Sequence, residues 1–289
     1  MPRRLRRFVL YPIAAVIPVA GLTLGLTTSA GASSTASPAT VKAAAAKKAA
    51  ISEFRKLNVG KHGTAHKVGS AKKNVKGLTQ VQSSNWAGYA DTGSNFSKVS
   101  VSYTEPTATC NSSADQLAAF WVGIDGYSSS SVEQDGTMIE CYQGTAYHYT
   151  WWEMYPTNAV QVVGQSAAAG DSITATVTRS GSSYALAVTD STHPSDSFST
   201  TQTGSGLANS SAEWIAEAPS GSSGLYPLAN FGTWTANSAS MTEGSSTGSI
   251  SSGTDDEITM VNGSGQDLTT TGALNSSGNS FSVKWDRSS

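Results

Sequence analysis

Carboxylates stand among aromatic residues in three short segments of this chain, and they are the residues best suited to chemistry. In a strand, alternate residues point to the same face. Three sets therefore share a face: Tyr149, Trp151, Glu153 and Tyr155; Trp121, Gly123 and Asp125; and Glu213, Ile215 and Glu217. A carboxylate in such a setting can act as a general base or acid, and the aromatic rings beside it can hold an extended peptide or glycan. The other interpretation is the ordinary solvent-facing side of a sheet, and the pattern alone does not decide between them.

Three shorter motifs suggest other chemistries, and each lacks a part that its chemistry needs. Residues 244–248 (GSSTG) match the nucleophile elbow G-x-S-x-G, but no His follows His193, and a triad of this kind needs a later His. Asp91-Thr92-Gly93 has the form of an aspartic protease loop, yet those enzymes need two carboxylates and the motif occurs once. We expect a hairpin turn at this position. His148 and His193 stand in no setting that marks a Ser-His-Asp triad.

Short strands must position these residues, because from Leu78 onward the hydrophobic pattern has a period of two. Clusters of Gly, Ser, Asn and Pro interrupt it about every ten residues, a spacing typical of an antiparallel sandwich or barrel. Strands are predicted at 116–124, 147–155, 172–178, 183–189, 211–217 and 281–285. The sequence therefore predicts one all-β domain over residues 79–289.

The charge is divided sharply along the chain. Residues 1–78 hold fourteen Lys and Arg against one acid, whereas residues 79–289 hold four against nineteen, so a basic head precedes an acidic body. The overall net charge of −2 argues against nucleic-acid binding as a function. Four Arg, an apolar run and Ala30-Gly31-Ala32 predict a signal peptide over 1–32, with a single membrane anchor as the alternative. Residues 33–78 are expected to be a basic propeptide that complements the body, although a solvated basic tail is also possible.

The cysteine and histidine residues favour a disulfide over a metal site. An even number of cysteines in an exported chain suggests pairing, so Cys110 and Cys141 are predicted to form one bridge. The two cysteines and four histidines show no ligand spacing. No metal and no cofactor are expected.

Six blocks of sequence, taken in order, resemble the glutamic peptidases, also called eqolisins. They are 84–89 (SNWAGY), 120–126 (FWVGIDG), 132–136 (VEQDG), 151–156 (WWEMYP), 211–217 (SAEWIAE) and 228–232 (LANFG). The resemblance implies an exported, pepstatin-insensitive acid endopeptidase made as a precursor. It also implies a concanavalin-like β-sandwich of two large bent antiparallel sheets. We expect a secreted monomer that acts on proteins or peptides, is held inactive by its own propeptide, and has no membrane association after signal cleavage.

The same resemblance assigns roles to single residues. The catalytic pair of the family falls on Gln134 and Glu213, and the substrate-binding groove on Trp121, Asp125, Trp151 and Glu153. Glu213 would take a proton from water while the Gln134 amide stabilises the oxyanion. With an ordinary carboxyl pKa of about 4.3, Glu213 is expected to stay ionised in moderately acid solution. Asp135 and Glu140 depart from the family pattern, and no role is assigned to either.

A second function class remains open from the residues alone. A secreted carbohydrate-binding module or glycosidase could use the same kind of groove. A retaining glycosidase would need two carboxylates about 5 Å apart, for which Glu153 and Glu213 are the candidates.

Overall fold

The structure is a computed structural model that describes residues 65, 67–73, 78–164, 167–221 and 223–289. The predicted signal peptide and most of the predicted propeptide lie outside the described residues. The body is built from short strands, as predicted. Within the part of the chain that is described, no helix is long and apolar enough to cross a membrane.

The first sheet has nine strands and carries the predicted catalytic and substrate-binding residues except Asp125, which directly follows β5. Its strands, in spatial order, are β1 (Lys67–Lys73), β2 (Thr79–Ser83), β17 (Asp255–Met260), β3 (Trp86–Thr92), β12 (Ser211–Glu217), β5 (Gln116–Ile124), β6 (Val132–Tyr142), β7 (Thr145–Tyr155) and β8 (Asn158–Gly164). Neighbouring strands are antiparallel except β2 and β17, which run parallel. Strand β1, from the predicted propeptide, forms one edge of this sheet.

The second sheet has eight strands and lies on the other side of the core. Its strands are β11 (Phe198–Thr203), β10 (Ser183–Asp190), β9 (Ser172–Ser180), β4 (Phe96–Thr104), β15 (Thr233–Glu243), β19 (Phe281–Trp285) and β18 (Thr269–Thr271), with β16 (Ser246–Gly248) beside β15. A small pair, β13 (Ser220–Gly221) and β14 (Gly224–Leu225), and two 3₁₀ turns, Pro194–Asp196 and Ile250–Ser252, complete the described elements. The prediction of an all-β sandwich of two large sheets is confirmed.

The alternation of side chains in β5 shows why both faces of the first sheet are buried. Phe120 and Val122 point between the sheets, where Phe120 stacks on Trp234 of the second sheet with ring centroids 5.6 Å apart. Trp121, between them in sequence, points to the opposite face and joins a second apolar cluster with Trp86 and Trp151. The core thus lies between the sheets, and the second cluster covers the outer face of the first sheet, where the site residues lie.

The prediction of a hairpin turn at Asp91-Thr92-Gly93 is wrong. Asp91 lies near the end of β3 in the first sheet, and β4 begins at Phe96 in the second sheet. The short connection therefore passes from one sheet to the other. Asp91 itself is fully buried, with Asp255 of β17 as its cross-strand neighbour.

The predicted disulfide is present. Cys110 and Cys141 are bonded across 31 residues of sequence, with their Cα atoms 5.2 Å apart. The bridge joins the loop before β5 to the end of β6, so it holds together the strands that carry Trp121 and Gln134.

Removal of this bridge is expected to destabilise the body substantially. A loop of this length predicts a loss of about 3–4 kcal/mol in the free energy of unfolding when Cys110 and Cys141 are both replaced by Ala. Urea unfolding at equilibrium measures this loss, and reduced wild-type protein controls for the altered side chains. Two free thiols in the unreduced protein, found by mass spectrometry, would reject the bridge.

Candidate active site

One row of side chains crosses four neighbouring strands of the first sheet. Glu213 on β12 lies opposite Gly123 on β5, Gly123 opposite Gln134 on β6, and Gln134 opposite Glu153 on β7. Residues directly opposite one another in paired strands point to the same face. The strand register therefore brings together two predicted catalytic residues and one predicted groove residue from distant parts of the chain.

Gly123 leaves the space in which Glu213 and Gln134 can approach each other. The two backbones are two strand spacings apart, about 10 Å, so their side chains must converge above Gly123. A Cβ atom at Gly123 would lie 3.3 Å from Oε2 of Glu213 and 2.9 Å from Cζ3 of Trp121. A side chain here would therefore push against both the carboxylate and the indole.

The amide of Gln134 is oriented by Glu153. Nε2 of Gln134 donates a hydrogen bond of 2.6 Å to Oε2 of Glu153. The carbonyl oxygen of the same amide meets no donor among the described residues. One N–H of Gln134 and its carbonyl oxygen are thus left for a substrate or a water molecule.

Trp121 and Trp151 flank the next row of the same face, on either side of Gly136. Nε1 of Trp121 donates a 2.8 Å hydrogen bond to Oε2 of Glu217, and the Trp121 ring packs edge-on against Trp86 at 4.8 Å. These contacts fix the ring beside Gly123. Sequence reasoning gave Glu217 no role of its own, although its position on the same face as Glu213 was a signal for one.

Asp125 fixes the beginning of the strand that carries Glu213. Its backbone has a positive φ of 70°, and its carboxylate accepts hydrogen bonds from the backbone N–H groups of Asn209 (2.7 Å) and Ser210 (2.8 Å). The Ser210 hydroxyl donates a third bond of 3.0 Å. Both oxygens thus bind the segment that leads into β12. The substrate-binding role expected of Asp125 stays a prediction.

The Glu213 side chain is shut off from solvent in this structure, an arrangement called the closed state below, and burial favours its neutral form. Its side chain is fully buried, and burial raises its pKa well above the ordinary value, with smaller contributions from Asp125 and Glu133. The Ser211 hydroxyl and the backbone N–H of Tyr127 act in the opposite direction by favouring the ionised form. Burial thus acts against the ionisation of Glu213 that the sequence led us to expect in moderately acid solution, and that expectation stays a prediction.

Three acids outside the row, Asp91, Glu133 and Asp135, are also buried with raised pKa values. Burial raises the pKa of Asp91 to about 8, with Asp255, Glu243 and Asp256 adding repulsion. Burial and the nearby Asp125 raise the pKa of Glu133 to about 9, whereas Arg179 lowers it. A carboxyl whose folded-state pKa is raised stabilises the fold below its unfolded pKa, and this contribution is lost as the pH rises through the folded value.

The body is therefore expected to be more stable in acid than at neutral pH, and Asp91→Asn tests the cause. Asn mimics the neutral acid, so the variant should melt within about 1 °C of wild type near pH 3.5 but several degrees higher near pH 8. Thermal unfolding followed by circular dichroism measures both values. Asp196→Asn, at an exposed position, is the matched control. Equal melting shifts at the two pH values would contradict the proposed role of the Asp91 proton.

Two residues of the basic head reach the outer face of the first sheet near this site. The backbone N–H of Ala65 donates to the carbonyl oxygen of Gly126 at 3.0 Å, and Ala65 packs against the cluster that contains Trp121 and Trp151. Nζ of Lys67 lies 3.3 Å from the centre of the Tyr127 ring. The head thus contacts the loop that joins β5 to β6.

One group of potential metal ligands occurs among the described residues, and it lies away from the row. Asp171, Asp190 and His193 come together next to β9 and β10 of the second sheet. Nδ1 of His193 is 3.0 Å from Oδ1 of Asp171, which is the geometry of an ion pair. The group has no connection with the candidate active site.

Comparison with protein families gives a match over most of the body. The family model described as the peptidase A4 family matches residues 84–285. Aspergillopepsin-2 of Aspergillus niger is 29% identical over 187 residues, which are 57% of this chain and 66% of that protein. Scytalidopepsin B of Scytalidium lignicola is 37% identical over 139 residues, which are 46% of this chain and 51% of that protein. The chain thus spans just under two thirds of the first relative and about half of the second.

Comparison with solved structures covers more of the fold. A scytalido-glutamic peptidase bound to a peptide-based transition-state analogue superposes with a TM-score of 0.58 at 26% identity, covering 70% of this chain and 98% of that one. SCP-B, an eqolisin in complex with the tripeptide Ala-Ile-His, gives the same TM-score at 25% identity and the same coverage. The sheets described above therefore have counterparts in peptidases of known structure.

Proposed function

Because the chain belongs to the peptidase A4 family, we propose that it is an acid endopeptidase in which Glu213 and Gln134 hydrolyse peptide bonds. The observation that carries this proposal is the row in which Glu213, Gly123 and Gln134 lie opposite one another on three adjacent strands. A carboxyl and an amide on either side of a glycine can hold a water molecule and a peptide carbonyl between them.

Each member of the pair has a chemical task that its side chain can perform. The Glu213 carboxylate accepts a proton from water while the water oxygen bonds to the carbonyl carbon. The free N–H of Gln134 donates to the resulting oxyanion, and its carbonyl oxygen accepts from the attacking water. Glu213 then passes the proton to the amide nitrogen as the C–N bond breaks, which leaves a new carboxyl and a new amine and restores the carboxylate.

This cycle requires Glu213 to be ionised, whereas burial in the closed state favours its neutral form. Burial is the largest cause of its raised pKa, so access of water to the site will lower that pKa toward the ordinary value of about 4.3. Opening of the site therefore both admits substrate and produces the base. We infer that the closed state is an inactive precursor.

The basic head is the segment proposed to keep the precursor closed. Residues 33–78 hold ten Lys and Arg against one Glu, opposite a body with nineteen acids and four basic residues. Nζ of Lys67 lies over the Tyr127 ring of the β5–β6 loop, and Asp256 of β17 attracts its ammonium, as Glu213 of β12 does when it is ionised. We propose that the chain is secreted in this form and that the head acts as an intramolecular inhibitor.

Acid is expected to release this head, because the body loses negative charge near the ordinary carboxyl pKa values while Lys and Arg keep their charge. A synthetic peptide of residues 33–78 should bind the separated body at pH 7 and bind much more weakly near pH 3.5. About 1 M salt should weaken binding at pH 7, since it screens surface charge beyond about 3 Å. Isothermal titration calorimetry measures the affinity. An affinity that is the same at both pH values and at both salt concentrations would show that charge does not hold the head on the body.

The geometry gives less support to the glycosidase alternative. Glu153 and Glu213 are three strands apart, about 14 Å along the sheet, and an oxygen of Glu153 binds the Gln134 amide. A retaining glycosidase needs its carboxylates about 5 Å apart.

Incubation at acid pH with a denatured protein and with soluble β-glucan separates the two functions. The proposal expects new peptide amino termini and no new reducing sugar ends. Release of reducing ends without peptide cleavage would overturn it. The Glu213→Gln variant in parallel identifies any contaminating protease.

A further inference from the structure

The ammonium of Lys67 lies on an aromatic ring and is attracted by the nearby carboxylate of Asp256. Nζ of Lys67 lies 3.3 Å above the Tyr127 ring, and the Tyr127 hydroxyl donates a 2.5 Å hydrogen bond to Oδ2 of Asp256. Burial of this amine lowers the pKa of Lys67, while Asp256 and Glu213 raise it. A ring face and a nearby carboxylate are a recurring way to bind an organic cation.

The body, and not the head, supplies this cation-binding pocket of Tyr127 and Asp256. Tyr127 is 5% exposed and packs in the cluster that contains Trp86 and Trp121. The ring is therefore held in place by the body itself. The pocket has the fixed ring that a binding site requires, and it does not depend on Lys67 for its form.

The pocket adjoins the proposed catalytic pair. Asp256 lies opposite Ala90, and Ala90 lies opposite Glu213, all on one face of the sheet. Asp256 thus stands two strands from Glu213, on the side away from Gln134. Ala90 carries only a methyl group, so little side-chain bulk from β3 separates the catalytic row from Asp256.

The head contacts this pocket through both its main chain and a side chain. Its backbone donates at Ala65 to the carbonyl oxygen of Gly126, and two residues later Lys67 places its side chain on Tyr127. Peptides that bind as strands are held in this way, because main-chain hydrogen bonds give affinity and pockets for alternate side chains give specificity.

We propose that Tyr127 and Asp256 form a substrate subsite for a Lys or Arg side chain, and that Lys67 occupies this subsite in the precursor. This inference rests on the proposed peptidase function. The uncharged Tyr127 ring attracts a cation through its quadrupole and does not titrate in acid, so the preference persists at acid pH. The wild-type protein should cleave a peptide with Lys at the matching position about tenfold faster, in kcat/KM, than the same peptide with uncharged norleucine.

The test uses pairs of internally quenched peptides. The two peptides of a pair differ at one position near the cleavage site, where one has Lys and the other norleucine, and there is one pair for each position. The full chain, after acid exposure, is assayed as wild type, Tyr127→Leu, Tyr127→Phe, Asp256→Asn and the exposed control Asp196→Asn. The measured quantity is the ratio of kcat/KM within a pair, which a general loss of activity does not change. We expect the ratio to fall to near one in Tyr127→Leu, to fall in Asp256→Asn, and to persist in Tyr127→Phe and in the control.

A wild-type ratio near one at every position would overturn the inference, and so would an unchanged ratio in both Tyr127→Leu and Asp256→Asn. A second measurement separates this failure from failure of the peptidase function. Hydrogen exchange of the full chain at neutral pH should show faster exchange of the Ala65 amide in Lys67→Met and in Tyr127→Leu. Absence of any peptide cleavage together with faster exchange would reject the peptidase and retain the cation pocket. Unchanged exchange in both variants would reject the pocket.

Discussion

Glu213→Gln is expected to reduce peptide hydrolysis at acid pH by roughly 10³-fold or more, because no other group in the row is proposed to accept the proton of water. Gln has nearly the same shape as the neutral carboxyl that burial favours in the closed state, so the fold and the melting temperature should change little. The measurement is kcat/KM on a quenched peptide. Each preparation is first treated with a trace of wild-type protein and repurified, so that an uncut head cannot account for the loss.

Glu133→Gln is the matched control for this variant. Glu133 is also fully buried with a raised pKa, and it precedes Gln134 on β6. Its position next to Gln134 in the strand places its side chain on the opposite face, toward the core. The control should keep wild-type turnover. Similar losses in both variants would show that loss of a buried acid, and not of the base, reduces the activity.

Gln134→Ala is expected to reduce turnover by about 10²–10³-fold, the effect of removing one oxyanion donor at comparable sites. The loss should appear mainly in kcat, because the amide acts on charge that develops in the transition state. Glu153 would also lose the amide that now donates to it at 2.6 Å. Steady-state kinetics on one peptide separates kcat from KM.

Gln161→Ala serves as the control for this second variant, since Gln161 lies on β8 of the same sheet and is exposed. Wild-type kinetics are expected from it. A Gln134→Ala protein that is folded and as active as this control would remove Gln134 from the mechanism.

The strands and the shared faces could be predicted because alternation is a local property of sequence. The strands at 116–124, 211–217 and 281–285 were predicted with the bounds that the structure shows. The predicted separation of Trp151 from Trp152 across the sheet is also present, since Trp151 joins the outer cluster and Trp152 packs against the core. The placement of Glu213 opposite Gly123 depends on the register between strands that are distant in sequence, so local alternation does not predict it. Gln134 was predicted as the partner of Glu213 from the family resemblance and not from the hydrophobic pattern.

Features that depend on tertiary contacts were missed for physical reasons. The Asp91 segment resembles a turn locally, but it crosses between sheets because β4 pairs with β9 and β15. The raised pKa of Glu213 arises from burial, which no spacing of residues reveals. The hydrogen bond between Trp121 and Glu217 joins residues 96 positions apart, so it follows only from the strand order.

The central claim, that Glu213 and Gln134 hydrolyse peptide bonds, is tested most directly by the initial rate of cleavage of one quenched peptide by the acid-exposed full chain, with and without saturating pepstatin. Pepstatin mimics the transition state of a site with two aspartates. We expect wild-type cleavage that pepstatin does not slow and that Glu213→Gln reduces by roughly 10³-fold or more. Cleavage that pepstatin stops, or that persists in Glu213→Gln, would contradict the account and direct attention to Asp91.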